Sequence, residues 1–318
     1  MATFKIEPNE NTLHGFFSRD LKPVLTIDSG DTVDFKTIDA EWGMENFKVT
    51  LITDPAAGPP PRKTATTNVE GPRGHALCGP VFIRGAEPGM TLAIHIESIQ
   101  PGTWGWTVGG KSKEGEVLHL WELDAIHLRG RNHLGQEVRL RPFMGVMGMP
   151  PAEEGQHSTQ PPRVTGGNID CKELVAGSIL YLPIAVAGGL FSTGDGHAAQ
   201  GDGEVSRTAI ECPIEDARLT FRLHSDMHIT MPRAWTEAGW LTFGFDENLN
   251  IAAQTALHAM LDLMVEKHSV TRADALALAS VVVDLHITQI ANKVFGVHAV
   301  LPHNAWLSTG TPGNGASS

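Results

Sequence analysis

Residues 194–204, GDGHAAQGDGE, hold three carboxylates and one imidazole among mostly small residues. The triplet Gly194-Asp195-Gly196 runs into His197; seven residues on, Gly201-Asp202-Gly203 runs into Glu204. Glycine lets the backbone approach a ligand closely and adopt positive φ, so acidic groups spaced this way can converge on one point. Asp195 and His197 are two residues apart, as are Asp202 and Glu204, and each pair shares a side wherever the backbone is extended. Carboxylate oxygen and imidazole nitrogen suit a divalent metal such as Zn²⁺. Asp-Gly is also a strong turn signal, so a tight hairpin is the competing reading. A turn accounts for one Asp-Gly. It does not account for two in succession that end on a His and a Glu.

The elements around this stretch must hold it rigidly. The run Ser178–Val186 (SILYLPIAV) is nearly continuous in apolar residues and predicts a strand buried on both faces. It feeds Gly188-Gly189 and then the acidic stretch, so the candidate ligands are expected to hang from its end. Upstream, Gly166-Gly167-Asn168-Ile169-Asp170 offers an amide and a carboxylate two residues apart after a Gly pair, which a plain turn or an Asx cap would also explain. A third acidic position, Asp39, ends the alternating run Asp31–Ile38 and is followed by Glu41. A carboxylate just past a strand end is a common catalytic placement and an equally common solvated loop acid.

Alternation, turns and periodicity give the wider frame. Pro23–Asp28 and Asp31–Ile38 around Ser29-Gly30 predict a hairpin, and Pro80–Arg84 and Met90–Ile96 around Glu87-Pro88-Gly89 predict another. Cys171–Val175 with Ser178–Val186 predicts a third. Residues 54–75 read as a long loop, and Trp104 and Trp106 as core or contact residues that could also line a pocket. Near Asn250 the pattern turns helical: Ile251–His268 first, then a second helix opened by a Thr271–Asp274 capping box and running to about Asn292. The expectation is a mainly β protein, an antiparallel sandwich or barrel-like core with two helices late in the chain. It is one domain over 1–307, with the β core at about 14–245, the helical part at about 250–292, and a flexible tail at 308–318.

Composition excludes several function classes. The net charge is −12 and no Lys/Arg run occurs, which argues against nucleic acid or an anionic membrane as partner. No apolar run approaches the roughly 20 residues of a membrane span, and MATFKIEPNE lacks a signal-peptide pattern. Cys78, Cys171 and Cys212 have no CxxC spacing, so a reduced, cytoplasmic protein is expected. HExxH, GxSxG, Walker and dinucleotide-binding patterns are absent.

At this point the chain resembles the acetamidase/formamidase family, its formamidase branch most closely. The matching stretches are 14–43 (HGFFSRDLKPVLTIDSGDTVDFKTIDAEWG), 79–96 (GPVFIRGAEPGMTLAIHI), GGNIDCK at 166–172, GDGHAAQGDGEVSRTAIE at 194–211 and GVHAVLPHNAW at 296–306. The resemblance implies hydrolysis of a small aliphatic amide, formamide first and acetamide as alternative, to ammonia and a carboxylic acid. A sandwich-type β core, a bound divalent metal and a homo-oligomer are implied likewise. Carried over as metal ligands are Asp39, Asp195, His197, Asp202 and Glu204, with Asn168, Asp170, Gly194 and Gly201 at the rim. A four-ligand zinc site cannot use all these donors. Some therefore serve catalysis, the assigned carboxylates being Glu204, Asp202 and Asp170, or a second ion such as Ca²⁺. Glu204, which ends the second triplet and has the longer reach, is the expected proton shuttle. Arg207 is bulkier than the family pattern suggests. The rival readings are a thiol amidase using Cys78 or Cys171, and a non-catalytic metal- or sugar-binding β-sandwich module.

Overall fold

Short runs of alternating residues, cut by Gly and Pro, form strands along most of the chain, and they assemble into two large sheets. The structure is a computed structural model and describes residues 1–48, 51–52, 60–109 and 116–305. The expected tail, 308–318, lies outside the described residues. A nine-stranded sheet runs from the edge Thr3–Ile6 through Thr32–Thr37, Ile214–His224, Thr91–Pro101, Ile179–Pro183, Arg233–Thr236, Gly239–Asp246 and Phe295–Leu301 to the edge Asp284–Gln289. The second sheet holds Leu77–Ile83, Phe143–Gly148, Gly166–Asn168, Phe191–His197 and Glu211–Cys212 among its strands. The inner faces meet in one apolar core. Phe35 and Phe221 of the first sheet pack edge-on against Phe191 of the second, with ring centroids 6.2 and 5.0 Å away. The expected mainly β sandwich with two late helices is what forms.

The three expected hairpins do not form. Leu25–Ile27 pairs parallel with Leu77–Ile83, while Thr32–Thr37 sits in the other sheet between Thr3–Ile6 and Ile214–His224. Leu77–Ile83 and Thr91–Pro101 likewise belong to different sheets. Residues 171–175 form no strand, and Ile179–Pro183 pairs with Thr91–Pro101 and Arg233–Thr236. Alternation specifies which face of a strand is buried and leaves its partner open. The turns at Ser29-Gly30 and Pro88-Gly89 therefore carry the chain across the core instead of back along the same sheet.

Ile179–Pro183 alternates in burial and is not covered on both faces. Among the described strands of four or more residues, those buried at every position are Phe143–Gly148 and Phe191–His197; the Gly, Ser and Thr content of the second hides it from a search for large apolar residues.

Helix α1 (Leu249–His268) is capped by the Asn248 side chain, and it lays Ala252, Ala256, Met260 and Met264 on Val297, Ala299 and Leu301. The approach is close: the Thr242 hydroxyl donates to the Ala256 carbonyl at 2.8 Å. Helix α2 (Arg272–Val282) opens as expected, with Thr271 Oγ1 accepting from the Asp274 amide. It ends ten residues before the expected Asn292. The β-branched run Val281-Val282-Val283 disfavours helix, and Val283 is already extended. Asp284–Gln289 then pairs with Phe295–Leu301 as a sheet edge, so Ile287 lies on a strand and not on a helix face. Among the described residues, no helix is long and apolar enough to cross a membrane.

Candidate active site

Asp170, Asp195, His197, Glu204 and Glu211 cluster in the wall of a cavity of about 320 Å³, which Glu41, His75 and Arg207 also line. Asp195 and His197 lie two apart on Phe191–His197 and face the same group of residues, as the spacing predicts. Glu211 comes from the neighbouring strand, directly opposite His197 in register. Asp170 follows Gly166–Asn168, and Glu204 follows the second Gly-Asp-Gly triplet. The first triplet is therefore strand interior and not a turn hanging from a strand end.

Glycine makes this convergence possible. A Cβ on Gly145 would lie 2.7 Å from both Asp170 Oδ1 and Asp195 Oδ2 and 2.9 Å from His197 Cε1. Gly194 and Gly196 do a different job: side chains there would collide with the carbonyls of Ala76 and Cys212 on neighbouring strands. The flanking strands close in on the glycines while Asp195, at φ 59°, joins the cluster.

All five side chains are buried. His197 Nε2 lies 3.2 Å from Asp195 Oδ1 and 3.4 Å from Glu211 Oε2, and Phe143 packs edge-on to the imidazole. Donor atoms of Asp170, Asp195 and His197 lie within 4.8 Å of one another, and so do those of His197, Glu204 and Glu211. Burial, reinforced by the charges of Glu204 and Asp195, pushes the Asp170 carboxyl well above the usual range. Burial also raises Glu204, to about 8; His197 opposes this, and Glu211 and Asp195 reinforce it. Asp195 goes the other way: burial would raise it, but the positive charges of His197 and His75 outweigh burial. For His197, burial is outweighed by Glu211 and Asp195, which hold the ring protonated.

That imidazolium is set among four carboxylates. Both oxygens of Asp170, Glu204 Oε2, Glu211 Oε2 and His197 Nδ1 have no hydrogen-bond partner although they are buried. Unpaired buried carboxylate oxygens are costly. Four oxygens and a nitrogen in this state are a donor set that fits a divalent cation, which would satisfy them and replace the proton on His197.

The remaining sequence candidates divide. Asn168 lines the same cavity, its amide donating to the Gln160 carbonyl at 3.0 Å while Oδ1 stays free. Asp39 is not brought to the cluster. Its Oδ2 is 2.5 Å from Arg62 Nη1 and accepts from Trp106 Nε1 at 3.0 Å; its Oδ1 accepts from the Gly43 and Glu41 amides. This carboxylate is consumed by a buried ion pair that fixes the 39–43 corner. Asp202 also points elsewhere, to Lys172 at 2.8 Å and His286 at 3.0 Å. Residues 201–204 form a turn and not an extended segment, with Glu204 at φ 44°, so Asp202 and Glu204 diverge. Gly201 is exposed, away from the cluster, and a Cβ there would meet nothing.

Glu211, His75 and Asn292 were not anticipated. The advance signal of Glu211 is a polar residue inside an otherwise β-patterned run, which becomes significant once register sets it against His197; His75 falls in the run that reads as a long loop, and Asn292 at the expected end of the second helix. Trp106 both anchors Asp39 and lines the cavity. The thiols of Cys78, Cys171 and Cys212 are buried, and burial pushes each one up, which disfavours a thiolate nucleophile. A larger cavity of about 440 Å³ lies against α1, but its Arg233 is paired with Glu266 at 2.7 Å and no ligand group of the kind above converges there among the described residues.

Fold and site together define a β-sandwich protein with a metal-competent carboxylate–imidazole cluster beneath a small cavity. The acetamidase/formamidase family profile matches residues 2–160 and 152–231, and the chain belongs to that family. A Schizosaccharomyces pombe protein provisionally named a formamidase is 27% identical over 262 aligned positions, 63% of this chain and 60% of that one. The formamidase of Methylophilus methylotrophus is 27% identical over 194 positions, 42% of this chain and 47% of the relative. The chain thus spans about half to three fifths of the length of these relatives. The crystal structure of an acetamidase from Bacillus halodurans is similar over 94% of this chain and 97% of that one, with TM-score 0.81 and 26% identity.

Proposed function

We propose that this protein hydrolyses a small aliphatic amide, formamide first and acetamide as the alternative, to ammonia and the carboxylic acid. The observation that carries the reading is the set of unpartnered, buried carboxylate and imidazole atoms that face a cavity of about 320 Å³. Membership of a family whose named relatives include a formamidase and an acetamidase supports the substrate class.

Amides resist hydrolysis because water is a weak nucleophile and the amine a poor leaving group. Asp170, Asp195, His197 and Glu211 would hold a divalent ion, Zn²⁺ by donor type. Such an ion polarises a carbonyl and makes hydroxide available at neutral pH. Glu204 serves as the proton carrier: its unpartnered Oε2 faces the cluster, and its proton equilibrium is raised towards neutrality. It accepts the proton of the attacking water and returns it to the departing nitrogen. Asn168 offers a free amide oxygen at the cavity wall to orient the substrate NH₂. Trp106 and Val108 set the apolar boundary, which excludes bulkier amides by shape. Asp39 and Asp202 support the site from outside and do not take part.

Chelation and dialysis should abolish ammonia release from formamide, and Zn²⁺ should restore it; full activity in metal-free protein would overturn the mechanism. Homo-oligomer formation belongs to the same reading. Val281 of α2 and Leu285 and Ile287 of the edge strand Asp284–Gln289 expose apolar surface that a second copy would cover, and light scattering of the purified protein tests it.

A further inference from the structure

Asp202 leaves the cavity cluster but not ligand chemistry. Its carboxylate, His286 and His298 each offer a donor atom, and the three atoms lie within 4.8 Å of one another. They come from three segments: the 201–204 turn, the edge strand Asp284–Gln289 and its neighbour Phe295–Leu301. His286 and His298 are direct cross-strand partners, and their rings stack with centroids 5.1 Å apart and planes within 7°. His286 Nδ1 is 3.0 Å from Asp202 Oδ2. Two ligands on one tetrahedral Zn²⁺ stand about 3.3 Å apart, so only a small spreading separates this contact from coordination. Thr288 Oγ1 sits 2.8 Å from His298 Nδ1 and fixes that ring, the role an outer partner plays for a ligating histidine. The Asp202 and His286 side chains are 27% and 39% exposed, which gives an ion a way in.

One group competes. Lys172 Nζ lies 2.8 Å from the same Asp202 oxygen that His286 touches. We propose that Asp202, His286 and His298 form a second site for a borderline divalent transition metal, Zn²⁺ or Co²⁺, which the ion enters by displacing the Lys172 ammonium. Two imidazoles and one carboxylate leave a coordination position open and select this class of ion over Ca²⁺ or Mg²⁺. The site lies behind the turn that carries Glu204. That turn is already tied to the edge strand by the Gly203 amide to the Thr288 carbonyl at 3.1 Å and by the Ile290 amide to the Gly203 carbonyl at 2.9 Å.

Equilibrium dialysis of the full chain against Zn²⁺ or Co²⁺, with bound metal counted by mass spectrometry, tests this. Wild-type protein should bind one equivalent more than His286→Ala, a surface change chosen to leave the fold intact. That difference reads this site whether or not the cluster at His197 binds an ion. Lys172→Met removes the competing charge and should tighten the same equivalent by at least about tenfold. Misfolding cannot produce a gain in affinity, so this variant guards the test. Equal metal content in wild type and His286→Ala, or no tightening in Lys172→Met, would overturn the proposal.

Discussion

Gly145→Ala is the smallest change that should disable the site while sparing the fold. Gly145 lies on the fully buried strand Phe143–Gly148, and its φ is not among the positive ones, so the backbone accepts alanine. The added methyl meets Asp170 Oδ1 and Asp195 Oδ2 at 2.7 Å and His197 Cε1 at 2.9 Å. Contacts that short are not tolerated, and all three neighbours belong to the cluster. Overpacking of this kind costs about 1–3 kcal/mol of stability, which leaves a domain of ordinary stability folded. Displacing catalytic groups by about 1 Å costs roughly 10²-fold in rate. The expected result is a folded protein with at least about a hundredfold lower kcat/KM for formamide and much reduced metal content. Gly201→Ala is the matched control: it lies in the second triplet, and a Cβ there meets nothing within 4 Å. It should keep activity within a few-fold of wild type. If Gly145→Ala retained both metal and turnover, the cluster would not be the reaction site, whatever its donor count.

Three further outcomes follow from the same geometry. Glu204→Gln keeps the shape of the side chain but removes its proton equilibrium, so turnover should fall by about 10²–10⁴-fold with metal content unchanged; loss of metal as well would make Glu204 a ligand. Asp39→Ala strands the buried Arg62 guanidinium and should cost about 3–5 kcal/mol in urea unfolding. Metal stoichiometry should not change, because Arg62 and Trp106 hold the Asp39 carboxylate away from the cluster; a lost equivalent would make Asp39 a ligand. Burial pushes His14 down from 6.5 to about 4, with the ring held between the Phe16 carbonyl and Ser192 Oγ. Between those pH values the unfolded chain takes up a proton that the folded chain does not, so stability falls as the pH drops, by up to about 3 kcal/mol. His14→Gln should remove that share of the pH dependence, read from denaturation midpoints at pH 7 and pH 4.5; an unchanged slope would count against it.

What the sequence could and could not reveal follows from the range of each interaction. The helix start at Thr271–Asp274, the pairing of Asp195 with His197 on one side and the mainly β character are set within a few residues, and they were legible. The partners of each strand were not: Thr32–Thr37 alternates equally well beside Leu25–Ile27 or beside Ile214–His224, and only packing across the core decides. The two acidic pairs show the same limit at the site. Asp195/His197 and Asp202/Glu204 have identical spacing, yet the first pair lies in a strand and converges, while the second lies in a turn, with the intervening Gly203 at φ 95°, and diverges. Spacing implies a shared side only where the backbone is extended. The glycines that signal a turn at 201–203 are, at 194 and 196, the means by which neighbouring strands approach. Glu211 completes the cluster through register with His197, a pairing fourteen residues apart in the chain that no local motif encodes. Asp39, at its strand end, looks like a ligand until Arg62 is placed beside it. A donor's chemistry is thus readable from its type, whereas its availability depends on what the fold has already given it to bind.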